Sequence, residues 1–267
     1  MFKPIPVPKH SPWVSQVLVI RALLQREIAT RFGEYSLGFF WMLLEPLLGV
    51  LVIGVLLGSL GAKTAPPDIP YAFFVLNGML LLGLFTGAMT TGVNAISANV
   101  GLLVYPNVRP LDTFIARFIY ELMETVFSFT LFCLVSMWLE VNISLANLDL
   151  LIYCFAATWL MGCGLGLICG AIAAHFKETE KIVMVLQRPL LFVSAVLFPL
   201  TAIPAYAQQY LLYNPIVHTI ELSRKALFPY YHADGLDIFY PISLAIVSLG
   251  VGCIFFQFNR NFLTQNR

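Results

Sequence analysis

Long apolar runs recur along this chain at 36–60, 71–98, 113–138, 150–174, 184–203 and 238–259, with short polar stretches between them. A bilayer core of about 30 Å takes about 20 helical residues to cross, and a helix satisfies its own backbone groups where there is no water. The pattern predicts six transmembrane helices. The fifth run differs from the rest, because Arg188-Pro189 interrupts its start while Pro199 and Pro204 close it. Proline removes a backbone donor and clashes with the preceding turn, so a broken or re-entrant span is expected there. Ahead of the first run, residues 12–34 carry apolar groups at 17, 20, 24 and 28, with Arg21, Gln25 and Arg31 off that line. Pro12 after Ser11 opens this helix and Gly33 closes it. A basic amphipathic helix of this kind is expected to lie in the cytoplasmic interface plane. The predicted fold class is an all-α polytopic membrane protein with six transmembrane spans, an N-terminal amphipathic interface helix and a broken fifth span. Residues 1–35 form the cytoplasmic N-terminus and interface helix, 36–259 the membrane domain with outer re-entrant or short helices at about 185–235, and 260–267 a cytoplasmic tail.

Composition strengthens this picture. The chain is 59% hydrophobic and 11% charged, with a mean hydropathy of +0.84, whereas a soluble domain carries about 25% charge. A formal net charge of +1 without a basic stripe leaves no footprint for nucleic acid. Six spans put both termini on one side, and twelve of the fifteen Lys and Arg residues fall there, against Lys63, Arg224 and Lys225 opposite. The positive-inside rule then places both termini in the cytoplasm. The opening Met1-Phe-Lys-Pro lacks an apolar run ending in a small-residue cleavage site, so no signal peptide is expected to be removed. Cys133, Cys154, Cys163, Cys169 and Cys253 all lie in apolar runs and read as small packing residues.

Charges retained inside such a body are the informative residues, because an ionised group facing lipid is costly and turns inward to protein, water or a pathway. Glu45 precedes Pro46 in the first run. Arg117, Glu121 and Glu124 stand at i, i+4 and i+7, and Arg117 with Glu121 reads as a structural ion pair. Asn214-Pro215 opens a short outer helix, with Asn214 as its cap and Pro215 at the first helical position. His218, Glu221 and Arg224 then share one face, suited either to locking that helix or to meeting a substrate. Tyr35, Phe39, Trp41, Phe73, Phe85, Tyr206 and Tyr210 belong to a dense aromatic population, whose rings anchor helices at the headgroups or offer flat faces to sugars along a conduit. The stretches 99–112 and 175–183 are short cytoplasmic loops, the first long enough for one compact helix. No Gly-rich loop ending in Lys-Ser/Thr occurs, so the chain carries no nucleotide site of its own. No catalytic or metal-ligating set is predicted. A membrane-embedded glycan or lipid transferase is the alternative from another class, and His218 with Glu221 makes a sparse site for it.

Three strings carry a family resemblance: Ser36-Leu-Gly-Phe-Phe-Trp-Met-Leu-Leu-Glu-Pro-Leu47; Tyr105-Pro-Asn-Val-Arg-Pro-Leu-Asp112 with Ile115-Ala-Arg117; and Asn214-Pro-Ile-Val-His-Thr-Ile-Glu-Leu-Ser-Arg224 followed by Phe228-Pro-Tyr230. Their order and spacing resemble type-2 ABC transporter permeases, in particular the inner-membrane permease of capsular polysaccharide export. The resemblance implies a homodimer of six-span subunits above two ATP-binding subunits, which supply ATP and Mg2+ while this chain holds no cofactor. It implies export of a lipid-linked acidic polysaccharide, with periplasmic and outer-membrane export proteins as further partners. An exporter of O-antigen or a teichoic-acid-type polymer shares that architecture. By the same resemblance Tyr105, Pro106, Arg109 and Asp112 form a coupling helix for the ATPase stroke, with Lys177 and Glu178 as a second contact. The substrate-pathway set is Tyr35, Phe39, Trp41, Glu45, Phe73, Phe85, Tyr206, Tyr210, His218, Glu221 and Arg224.

Overall fold

The computed structural model describes residues 11–32, 69–105 and 107–265, with Pro12, Phe32 and residues 261–265 described in backbone only. The expected first span at 36–60 lies outside the described residues, as do Tyr35, Phe39, Trp41, Glu45 and Pro106. Among the described residues every regular element is helical. In chain order these are α1 (Pro12–Phe32), α2 (Tyr71–Val93), a 3-10 turn (Ser97–Leu102), α3 (Pro110–Trp138), α4 (Leu148–Ala173), α5 (Glu178–Gln187), α6 (Leu190–Val193), a second 3-10 turn (Leu200–Ala202), α7 (Ala205–Leu211), α8 (Pro215–Leu227) and α9 (Phe239–Gln265). Four of the described helices, α2, α3, α4 and α9, are long and apolar enough to cross a membrane.

Several boundaries differ from the sequence reading, each for a local reason. The second span stops at Val93 rather than 98, and the chain turns through the Ser97–Leu102 3-10 segment where a compact loop helix was expected. The third starts at Pro110 rather than 113, because proline at the first helical position forfeits no bond and the Asp112 carboxylate accepts from the Arg109 amide at 2.8 Å. The fifth run is not one rod. It divides into α5, α6 and the Leu200–Ala202 turn, with breaks at Arg188-Pro189 and at Ala195, whose φ is +53°. The Asn214 side chain caps α8 by accepting from the Ile216 amide at 3.0 Å, as its sequence predicts.

Helix α4 is central, packed between α2 and α9 and also against α8. Lipid tails are as apolar as leucine, so helices in a membrane associate through close van der Waals fit and small residues. Gly162, Gly166 and Gly170 bring α4 against the α2 backbone: a Cβ at Gly166 would stand 2.7 Å from the Ala88 carbonyl oxygen. Gly164 on the other face meets Ser248 of α9 just as closely. Polar pairs are buried within this packing, Thr158 to Thr219 at 3.0 Å and Ser223 to Asn77 at 2.8 Å.

Candidate functional site

Two polar constellations stand out in this apolar body. The first joins α1 to the N-terminal half of α3. Gln16 donates to Asp112, Glu27 pairs with Arg117 at 3.3 Å, and Arg31 reaches Glu121 at 3.1 Å and Glu124 at 3.6 Å. The partners advance together along both helices, so α1 runs parallel to the start of α3. Helix α3 has 29 residues, about 43 Å at 1.5 Å per residue, which exceeds a hydrocarbon core of about 30 Å. Arg117 does not pair with Glu121 as their spacing suggested. It crosses to Glu27 instead and donates to the Thr91 carbonyl at 3.3 Å. Arg31 also pairs with Glu27 at 3.5 Å and lies over the Tyr120 ring at 4.2 Å. Burial alone lowers the Arg31 pKa, but Glu121, Tyr120, Glu124 and Glu27 together more than offset it, and the guanidinium is held above its ordinary value.

The expected apolar line of α1 is only partly the packed one. Leu23 and Glu27 are buried, Ile20, Leu24 and Ile28 half-buried, whereas Val17 faces outward with Trp13, Val14 and Leu18. Beside the Arg31 end of this contact a cavity of ≈ 540 Å³ runs between α2 and α3. Its described lining includes Arg31, Glu121, Glu124 and a row of hydroxyls from Thr86, Thr90, Thr91, Thr125 and Ser128. Thr86 and Thr91 donate to their own helix carbonyls, Leu82 at 2.9 Å and Gly87 at 2.8 Å, which leaves oxygen lone pairs to accept. Gln187 of α5 ties the far wall by donating to the Thr86 carbonyl at 3.1 Å.

The second constellation centres on α8. Arg224 pairs with Glu221 at 2.8 Å with both side chains fully buried. Its Nη1 and Nη2 groups also donate to the carbonyls of Ala195 (2.8 Å), Val196 (2.7 Å) and Phe74 (3.3 Å), and its guanidinium stacks 3.5 Å over the Phe74 ring. Tyr231 donates to the second Glu221 oxygen. Non-helical backbone at membrane depth persists only where its polar groups find partners, and Arg224 supplies them at the break in the fifth run. His218, also buried, accepts from the Asp237 amide at Nδ1 (3.1 Å), so its Nε2 proton goes to the Leu212 carbonyl at 2.9 Å.

The remaining sequence candidates are distributed rather than gathered. Phe73 and Phe85 are buried in the core, Phe73 against Phe132 with ring centroids 5.7 Å apart. Tyr206 and Tyr210 of α7 are exposed. Tyr105, Arg109, Lys177 and Glu178 are exposed, while Asp112 is buried. Sequence reasoning missed Glu27 and Arg31 as partners of α3, Tyr231 as the partner of Glu221, and the hydroxyl row on α2. The i, i+4 spacing of Glu27 with Arg31 and of Thr86 with Thr90 was the available signal.

Four long apolar helices with buried, ion-paired charges define a multi-pass membrane protein. A family model for the ABC-2 type transporter matches residues 19–228. Over 242 residues the chain is 35% identical to the polysialic acid transport protein KpsM of Escherichia coli, covering 91% of this chain and 93% of that one. It is 33% identical over 217 residues to the capsule polysaccharide export inner-membrane protein CtrC of Neisseria meningitidis serogroup A, covering 80% of each. It is 26% identical over 252 residues to the O-antigen export system permease protein RfbA of Myxococcus xanthus, covering 90% and 91%. The chain belongs to the ABC-2 type transporter family, in the group of capsule polysaccharide export inner-membrane proteins.

Proposed function

We propose that this chain is the permease subunit of an ATP-driven exporter that moves a lipid-linked acidic capsular polysaccharide out of the cytoplasm. The observation that carries the reading is the likeness to a polysialic acid transport protein over nine-tenths of both chains. Identity is higher to the capsule relatives than to the O-antigen permease, which favours a capsular polymer. The working unit is two copies of this chain, each with six spans, both termini cytoplasmic and α1 near the inner headgroups. Its exposed Trp13, Val14, Val17 and Leu18 suit contact with lipid. Two ATP-binding subunits carry ATP and Mg2+, and further export proteins continue the route beyond the inner membrane.

The division of labour follows from exposure and charge. Tyr105, Arg109, Lys177 and Glu178 are accessible to a soluble ATPase, while Asp112 positions the start of α3 behind them. Glu221, Arg224 and His218 hold the outer helices, and Tyr206 and Tyr210 present rings to the departing glycan. A long polymer moves through many weak contacts, because tight ion pairs at each step would hold it. ATP binding biases the dimer between two states that differ in their contacts with the ATPase. The test is to delete this chain from an encapsulated host. Polymer is expected to accumulate inside the cells and return to the surface on complementation; an unchanged surface capsule refutes the assignment.

A further inference from the structure

A second cavity, of ≈ 580 Å³, lies between the α3–α4 connection, the end of α8 and the segment that leads into α9. Its walls are tied together across long stretches of chain. The Ser144 amide donates to the Leu227 carbonyl at 2.7 Å, the Tyr153 hydroxyl to the Ile238 carbonyl, and the Tyr231 hydroxyl to Glu221. Small-molecule sites are largely pre-formed and measure about 300–1,000 Å³, so this pocket is of a size and build to take a ligand. The polar groups that line it are not spent on holding it together. Lys225, His232, Asn147 and Asp149 are exposed, and their side chains make no hydrogen bond or ion pair among the described residues. Asn147 flanks the first turn of α4 without capping it through its side chain, so its amide group stays available. The Ser144 hydroxyl oxygen accepts from the Ala146 amide at 3.2 Å, and its proton remains to donate.

Resting on the reading above, which puts this face on the outer side of the membrane, we propose that the pocket binds one acidic sugar unit of the departing polymer. Lys225 meets the sugar carboxylate, Asp149 accepts from sugar hydroxyls, and Asn147 and Ser144 supply donors to the remaining oxygens. Leu150, Ala226 and Pro229 give the ring an apolar floor. The mixture of charges is what selects a sugar. A bare carboxylate that approaches Lys225 also meets Asp149 with like charge, whereas an acidic sugar brings hydroxyls for Asp149 along with its own carboxylate. Lys225 and Asp149 together leave no net charge, so the site does not gather anions in general. An exposed ion pair of this kind is weak, and a weak hold suits a chain that has to leave.

The experiment uses the complete complex of permease and ATPase in nanodiscs at low salt, with Ile238→Cys at the pocket wall as a reporter. A water-soluble maleimide labels that cysteine, and the rate in the unsubstituted complex is subtracted as background. The probes are short oligomers cut from the host's own capsular polymer, dextran oligomers of equal length, and a hexapeptide of glutamate. The capsular oligomers are expected to slow labelling, and the dextran and the peptide to leave it unchanged. Lys225→Gln is expected to raise the oligomer concentration for half protection about threefold, and Lys225→Arg to leave it near native. Absence of protection, equal protection by dextran, or a half-protection point that ignores Lys225→Gln overturns the proposal. Protection by the peptide as strong as by the sugar overturns it too, and moves the site to an acidic protein partner. Should the cysteine variant not assemble, calorimetric titration of the same oligomers into the native and Lys225→Gln complexes takes its place, and equal affinities overturn the proposal. A host whose surface polymer depends on this chain, with no protection at the reporter, overturns this proposal alone. A host whose polymer is uncharged, or reaches the surface without this chain, overturns the functional reading and this proposal with it.

Discussion

Arg224 donates through Nη1 to the carbonyl of Ala195 across 2.8 Å, joining α8 to the residue whose φ of +53° breaks the fifth apolar run. It donates as well to the adjacent Val196 carbonyl, to the Phe74 carbonyl and to Glu221. One side chain thus satisfies the backbone groups that the break frees, and the ion pair leaves no net charge buried. Arg224→Ala leaves Glu221 without its counter-charge and takes a donor from the Ala195 and Val196 carbonyls, and is expected to cost about 3–5 kcal/mol. Arg224→Lys is also expected to destabilise strongly, since a point charge on a flexible stem does not reproduce a planar fork. Thermal unfolding of the purified chain in detergent checks both. A lysine variant that melts like the native protein contradicts the clamp.

Gly166 and Gly250 make a controlled pair for the packing argument. At Gly166 a methyl group meets the Ala88 carbonyl oxygen at 2.7 Å, whereas a Cβ at Gly250 has no neighbour within 4 Å among the described residues. Gly166→Ala must push α2 from α4, and overpacking of this kind costs about 1–3 kcal/mol. Gly250→Ala is expected to stabilise by about 0.5–1 kcal/mol, because alanine has less backbone freedom to lose. The midpoints of the two variants should move in opposite directions, and a shared shift contradicts the assigned helix faces.

Local chemistry was legible in the sequence, and long-range pairing was not. Pro110, Asn214 and Pro215 announce helix starts through dihedral limits and capping, which depend on a few neighbouring residues. Pro189 likewise announces the break in the fifth run. The partner of Arg117 depends instead on how α1 lies against α3. Glu121 at i+4 was the only candidate visible along one helix, and Glu27, ninety residues earlier, took the contact. The aromatic residues show the same limit: Phe73 faces the core and Tyr206 the outside, although the same resemblance put both in one pathway set.

That difference in burial separates the roles of the aromatics. Phe73 is 8% exposed and packs on Phe132, so Phe73→Ala is expected to lose about 3–5 kcal/mol of stability. Tyr206 and Tyr210 are 72% and 68% exposed and lie four residues apart on α7. Replacing both with alanine is expected to alter stability by less than about 0.5 kcal/mol while slowing polymer export, as rings on the proposed route require. Unfolding midpoints and surface polymer, measured on the same strains, give the comparison. Normal export by the double variant removes these tyrosines from the pathway.

Asp112 and Arg109 fall in one short motif yet do different work. The Asp112 carboxylate is buried, accepting from the Arg109 amide at 2.8 Å and from Gln16. Arg109, like Tyr105, is exposed. Loss of a helix-start acceptor costs about 0.5–2 kcal/mol, so Asp112→Ala is expected to lower the unfolding midpoint and loosen α1 from α3. Arg109→Ala leaves the backbone donor intact, and is expected to unfold like the native chain while retaining less of the ATP-binding subunit during copurification. The two measurements should therefore separate: stability follows Asp112, and association follows Arg109. A stable Asp112→Ala variant that loses its ATPase would move Asp112 from the frame of α3 to the docking surface itself.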